Sequence, residues 1–199
     1  MERLGRHAVL ALMVALVALA QHPANAEVVS TTSYGSHPVK GTTPKSVLAY
    51  MNAHPIIDPD DGPAYANLTH DHTVSIRTGA SGGACRVSSI TFRWQFVLTL
   101  PTAVDYARMD GATKSMWNAF LAAMKRHEET HRAIFLGCAK KFVPAAERLV
   151  GPASCAGLER KVRQSIDKAY QACMNEQRAF EKRDRPRILG LPFVRAATR

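Results

Sequence analysis

His127-Glu128-Glu129-Thr130-His131 places two imidazoles and two carboxylate side chains within five consecutive positions. On an α-helix, residues four apart lie about 6 Å apart along the axis and about 40° apart around it, so both imidazoles can converge on one ion. Zinc takes tetrahedral nitrogen ligands at about 2.0–2.1 Å, and a hydrolytic site leaves one position to water. Glu128 follows the first histidine directly and is the candidate general base for that water, which the metal makes more acidic. The pattern predicts zinc-dependent hydrolysis of a peptide or protein substrate, with His127 and His131 as metal ligands and Glu128 as catalytic base. The blander alternative is a pair of core histidines satisfied by hydrogen bonds, with Glu128 merely solvated. Glu129 has no comparable placement and reads as an exposed charge.

A catalytic zinc site needs a third protein ligand. One extended form of the motif has Gly three residues after the second histidine and a third histidine three beyond; those positions here are Ile134 and Gly137, which excludes that subclass. No histidine follows His131. The third ligand must then be a downstream carboxylate, with Glu147, Glu159, Glu176, Glu181 and Asp184 as candidates, or an upstream group such as His70-Asp71-His72. Any one of these carboxylates is otherwise an ordinary helix-surface charge.

The elements that must position these groups change from strand-like to helical along the chain. Val28 to Tyr34 is rich in Val, Ser and Thr and reads as a strand. Thr43-Pro44 offers an N-cap followed by Pro at the first helical position, and Val47, Leu48 and Met51 give a short apolar stripe ending near His54-Pro55. Asp58 to Gly62 has turn-forming composition, Thr73 to Arg77 reads as a short strand, and Gly79 to Gly83 as a flexible connection. Ile90, Phe92, Trp94, Phe96, Leu98 and Leu100 then alternate with a largely polar set up to Pro101, the period of a strand with one buried face. From about Thr113 the period becomes helical, and Trp117, Phe120, Met124, His127, His131 and Phe135 share one stripe. Pro144 is a candidate kink or end of this helix, and Gly151-Pro152 interrupts it. A second helix from about Ser154 to Arg183 carries Leu158, Val162, Ile166, Tyr170, Cys173, Gln177 and Phe180 along one side. The predicted architecture is α+β: a small antiparallel sheet with a short helix, followed by a two-helix hairpin carrying the His-Glu-x-x-His motif.

Met1 to Ala26 combines Arg3 and Arg6, the apolar run Ala8 to Ala20, and Ala24-Asn25-Ala26 ahead of Glu27, the pattern of a secretory signal peptide cleaved near Ala26. The mature protein is then expected as one domain over residues 27–199, secreted or periplasmic, with no transmembrane segment. Its net charge falls from +10 to +9, because two basic residues and one acidic residue leave with the leader. Such a charge draws a protein toward anionic envelope surfaces. It is spread along the chain without a dense basic block, so nucleic acid is not an expected partner. Cys85, Cys138, Cys155 and Cys173 form an even set suited to two disulfides in an oxidising compartment, with three pairings possible. Four free thiols, or one site made by all four thiolates, are the alternatives; the latter lacks any C-x2-C pair.

Taken in order, a start spanning Tyr34 to Gly41, a short helix, Gly62-Pro63, a strand opening at Cys85, a strand ending at Leu100-Pro101, Trp117 ahead of the His-Glu-x-x-His motif and a late Cys155-x-x-Leu158 resemble the bacterial predicted secreted zinc-dependent proteases (domain of unknown function 922). The resemblance covers nearly the whole mature chain, and the zinc motif is its sharpest part. It implies a metalloprotease-like domain in or beyond the periplasm, with Cys85 bridged to Cys155 and Cys138 to Cys173. It also implies a second helix ending in Tyr-Asp-x-x-Thr-x-His-Gly, whose histidine is the natural third ligand. The matching positions here are Phe180, Glu181, Asp184, Pro186 and Arg187, with Pro186 in the place of the histidine. Glu181 or Asp184 is then the substitute oxygen ligand of a zinc peptidase. Otherwise the site binds zinc weakly, or the chain is a catalytically inactive relative that acts as a binding or structural module of the envelope.

Overall fold

The structure, a computed structural model, describes residues 25–58, 62–152 and 155–199. The expected signal peptide lies outside the described residues up to position 24; Asn25 and Ala26 open the first strand. In chain order the elements are β1 (Asn25–Val39), α1 (Pro44–Ala53), β2 (Ile56–Asp58), β3 (Gly62–Ala64), β4 (Asn67–Ser81), β5 (Ala84–Ala103), α2 (Gly111–Glu147), β6 (Val150–Gly151), α3 (Cys155–Leu189) and α4 (Pro192–Ala197), with a 3-10 turn at Tyr106–Arg108.

The long strand β5 is central because its alternating residues Ile90, Phe92, Trp94, Phe96 and Leu98 are all buried on one face. Gly82 and Gly83 close the β4–β5 hairpin with φ of +59° and +76°, and Ser81 pairs with Ala84 across them. A two-residue turn with both φ values positive matches the twist of the flanking strands and strongly favours glycine. What reads as a flexible connection is therefore a tight turn that sets the register of both strands.

The expected small antiparallel sheet and two-helix hairpin need correction, although the α+β class stands. The sheet is larger and mixed: β4 pairs antiparallel with β5, whereas β1 pairs parallel with it from Asn25↔Ser89 to Val39↔Ala103, and β6 pairs with its first residues, giving four strands. Alternation along β5 specifies that one face is buried but says nothing about the direction of its neighbours. In the chain β5 reaches its parallel partner β1 only after α1, the β2–β3 pair and β4 have intervened. On the helical side, the 37-residue α2 is followed by β6, which pairs back onto Cys85 and Arg86, before α3 begins. A sheet-bound strand thus stands where a bare turn was expected.

Asp110 caps α2, its side chain accepting from the Thr113 backbone N–H at 2.6 Å. Pro144 does not end the helix. It removes one backbone donor close to the C-terminus, where Phe142, Val143 and Ala146 are buried and hold the last turn in place. Disulfides join Cys85 to Cys155, with Cα atoms 5.3 Å apart, and Cys138 to Cys173, with Cα atoms 6.0 Å apart. The first ties the start of α3 to the sheet and the second ties α3 to α2. By the chain-entropy model, closing loops of 70 and 35 residues restricts the unfolded chain by about 4 kcal/mol each.

The core has two parts along α2. Phe135, Cys138, Ala139, Phe142 and Val143 pack with the sheet and α3, while Trp117, Phe120, Ala123 and Met124 pack with α1 and α4. The basic C-terminal segment packs along the protein here: Phe193 of α4 is fully buried, its ring 5.3 Å from Trp117 and 5.2 Å from Phe120. Between the two apolar parts lie His127, Glu128 and His131. Among the described residues, no helix is long and apolar enough to cross a membrane.

Candidate metal centre

Met124 and Phe135 belong to opposite parts of the core, so the intervening turns of α2 are held from both ends. Helical phase turns His127 and His131 toward α3, and Nε2 of one lies 3.1 Å from Nε2 of the other. From α3, Glu181 brings Oε2 to 3.0 Å from Nε2 of His127 and 3.6 Å from Nε2 of His131. These residues form a group able to hold a metal ion. Ligands about 2.0 Å from a tetrahedral ion are separated by about 3.3 Å, so the three observed separations match the edges of such a polyhedron.

The other ring nitrogens explain why Nε2 is the atom presented. Nδ1 of His127 donates to Oδ2 of Asp184 at 2.7 Å, and Nδ1 of His131 donates to Oε1 of Gln177 at 2.7 Å. The Gln177 amide is oriented by its own Nε2 donating to the His131 carbonyl at 2.9 Å, so the oxygen must face the ring. With each Nδ1 acting as donor, a neutral imidazole has a lone pair at Nε2. Two such lone pairs and a carboxylate oxygen facing one another repel unless a cation or a proton stands between them. Oriented histidines backed by a carboxylate and an amide are the arrangement of a metal site whose outer groups fix tautomer and direction.

Asp184 also receives Arg187 in a two-pronged pair, Nε to Oδ1 and Nη2 to Oδ2, both at 2.7 Å. The Arg187 guanidinium and the His127 ring keep the Asp184 carboxyl below the usual range. Hydrogen bonds from His127 and His131 outweigh partial burial and hold the Glu181 carboxyl well below its ordinary value. Phe180 closes the site from α3, its ring 5.0 Å from His127 and 4.8 Å from His131.

Glu128 is only 5% exposed and lines the same cavity of about 520 Å³ as both histidines and Glu181. Burial pushes its carboxyl up to about 7, against the opposing charge of the two histidines, with the nearby carboxylates of Asp58 and Glu181 adding to the rise. A carboxyl poised there can change protonation near neutral pH. Glu129 points away and pairs with Lys125 at 3.8 Å.

Burial disfavours the charged form of His127, but hydrogen bonds to Glu181 and Asp184 and the charge of Glu128 prevail and raise it to about 8. A metal must displace that proton. Divalent-metal affinity is therefore expected to strengthen by roughly tenfold per pH unit as pH rises toward about 8, then level off. Ionisation of Glu128 acts in the same direction. Calorimetric titration of the apoprotein across pH 6 to 9 checks this; an affinity that is flat below pH 8 contradicts it. In the metal-free protein the same shift contributes stability fully below 6.5, and this is lost as pH rises through about 8.

The remaining sequence candidates lie elsewhere. His70 stacks on Trp94 at 5.4 Å and meets the edge of Phe135 at 4.2 Å, and its Nε2 lies 3.3 Å from the Tyr170 hydroxyl; it borders the cavity without joining the group. His72 stacks on Phe92 at 5.0 Å, and Asp71 accepts from the His72 backbone N–H. Glu159 pairs with Arg163, Glu176 lies beside the Cys138 sulfur, and Glu147 ends α2 with its Oε1 buried. Of the two C-terminal candidates, Glu181 faces both Nε2 atoms whereas Asp184 takes the far side of His127. Sequence reasoning left Gln177 and Asp58 without a role. Gln177 carried a signal, being a polar residue on an apolar helical stripe four positions before Glu181. Asp58 carried none, since only the fold brings β2 to the cavity.

The profile of a family described as "Bacterial protein of unknown function (DUF922)" matches residues 34–187. No curated protein and no solved structure matches the chain.

Proposed function

The chain belongs to this bacterial family of unknown function, DUF922, and we propose that it is a zinc-dependent peptidase with His127, His131 and Glu181 as metal ligands and Glu128 as general base. The observation that carries the reading is the convergence of two imidazole Nε2 atoms and one carboxylate oxygen, each within 3.6 Å of the others, while both Nδ1 atoms are engaged behind them. When bound, zinc supplies Lewis-acid chemistry, lowering the pKa of water and polarising a carbonyl oxygen.

The chain's own residues supply the rest. Asp184 and Gln177 lock the imidazoles in direction and tautomer, so little ordering remains to be done when the metal arrives. Glu128 accepts a proton from the attacking water and returns it to the leaving amine, a two-way task suited to a carboxyl whose ordinary value is lifted to about 7. The cavity of about 520 Å³, walled by Tyr65, Leu68 and Met174 as well as the site residues, has the size of a substrate cleft. Nitrogen and oxygen donors in a tetrahedral array favour zinc over the harder magnesium and calcium ions. Two disulfides suit an oxidising compartment, in keeping with a periplasmic or secreted location. A non-catalytic relative that kept only the metal has no chemical use for a buried carboxyl at Glu128.

Protein purified without chelator is expected to carry about one zinc per chain and to cleave members of a broad peptide library, with cleavage lost on chelation and restored by zinc. Less than about 0.1 zinc per chain, or cleavage indifferent to chelator, overturns the proposal.

A further inference from the structure

The cavity wall contributed by α3 has a charge pattern that metal binding does not explain. Arg178 stands three residues before Glu181 and Arg185 four after it, which on a helix puts one guanidinium-bearing side chain about a turn to either side of the ligand. Both line the cavity. Arg187 does not; it is committed to Asp184. Arg178 donates to the side-chain oxygen of Asn175, a neutral partner, and among the described residues neither Arg178 nor Arg185 forms an ion pair. Of the cavity's carboxylates, Glu181 faces the histidines, Glu128 is buried beside them, and Asp58 adds its charge to those acting on Glu128.

Resting on the peptidase reading above, we infer that Arg178 and Arg185 select substrates bearing a carboxylate close to the scissile bond. An arginine recognises a carboxylate through paired N–H donors in a fixed fork, and a site beside a bound cation retains its preference for anions. The carboxylate has two sources in a peptide, an Asp or Glu side chain or the free C-terminus, and the two are separable by experiment. Neither arginine touches the reacting atoms; both are specificity residues.

The test reads binding rather than turnover, using the Glu128→Gln protein with zinc and again without it. Three labelled peptides of one sequence are compared: an internal Glu with an amidated C-terminus, Gln with an amidated C-terminus, and Gln with a free C-terminal carboxylate. At least one carboxylate-bearing peptide is expected to bind about tenfold more tightly than the neutral one. In the Arg178→Gln/Arg185→Gln protein that ratio falls to about one, while zinc content and affinity for the neutral peptide are unchanged. Arg178→Lys/Arg185→Lys keeps the charge but loses the fork, and gives an intermediate ratio. A ratio of one in the parent, or an unchanged ratio in the Gln double variant, overturns the inference. Active peptidase with no carboxylate preference defeats this inference alone, whereas a carboxylate preference in a protein that cleaves nothing defeats the peptidase reading alone.

Discussion

Glu181→Ala is expected to weaken zinc binding by more than about 100-fold, while Asp184→Asn weakens it by about 10- to 100-fold, the range for loss of an outer partner. The difference follows from which nitrogen each carboxylate addresses. Oε2 of Glu181 lies 3.0 and 3.6 Å from the two Nε2 atoms, on the side of the proposed ion, and removing it leaves that ion only two protein ligands. Oδ2 of Asp184 lies 2.7 Å from Nδ1 of His127, on the far side of the ring. Its amide replacement can still accept that N–H through oxygen, but it surrenders the charge that supports the imidazole and that pairs with Arg187. Competition with a chromophoric chelator at about pH 9, above the His127 value of about 8, measures both variants under one condition. A larger loss for Asp184→Asn than for Glu181→Ala reverses the assignment and makes Asp184 the ligand.

That ordering could not be reached from the chain alone. His127 and His131 were legible because spacing of three and four along an apolar stripe fixes the face of a helix without knowledge of its partners. The third ligand depends on how α3 lies against α2. Cys173, Gln177 and Glu181 recur every four residues along one side of α3, and the Cys138–Cys173 bridge anchors that side to α2 two turns beyond His131. Both Glu181 and Asp184 were candidates by sequence, as oxygen donors close to Pro186, where the family resemblance implies a histidine. The register of two helices sets which of them faces the Nε2 atoms, and that register is a tertiary property. The sheet repeats the lesson in a different form. Ile90 to Leu98 announced a strand with one buried face, but the parallel pairing of β1 with β5 joins residues more than sixty positions apart and leaves no local trace. Gly82 and Gly83 were visible as glycines, yet the same two residues suit a loose connection or a tight turn until flanking strands fix both φ values as positive.

The largest effect on turnover is expected from Glu128→Gln, which should lower kcat/KM by about 10²- to 10⁴-fold while leaving zinc content unchanged. The carboxamide preserves the volume of a side chain that is 5% exposed, so the neighbouring Met124 and the histidine rings keep their packing. It does not touch the Nε2 atoms or their supporting partners, hence the retained metal. What it loses is the ability to take a proton and give it back. The pH profile supplies a readout that a packing defect cannot mimic. In the parent, the base works when ionised, so the rate falls as pH drops through the Glu128 value, which burial lifts from 4.5 to about 7 and a neighbouring cation draws part of the way back. The residual rate of the Gln variant should lack this limb and vary only with metal occupancy. If Glu128→Gln retains more than about a tenth of the parent rate, proton transfer runs through another group. A metal centre with intact ligands and a dispensable Glu128 then has the chemistry of a binding site.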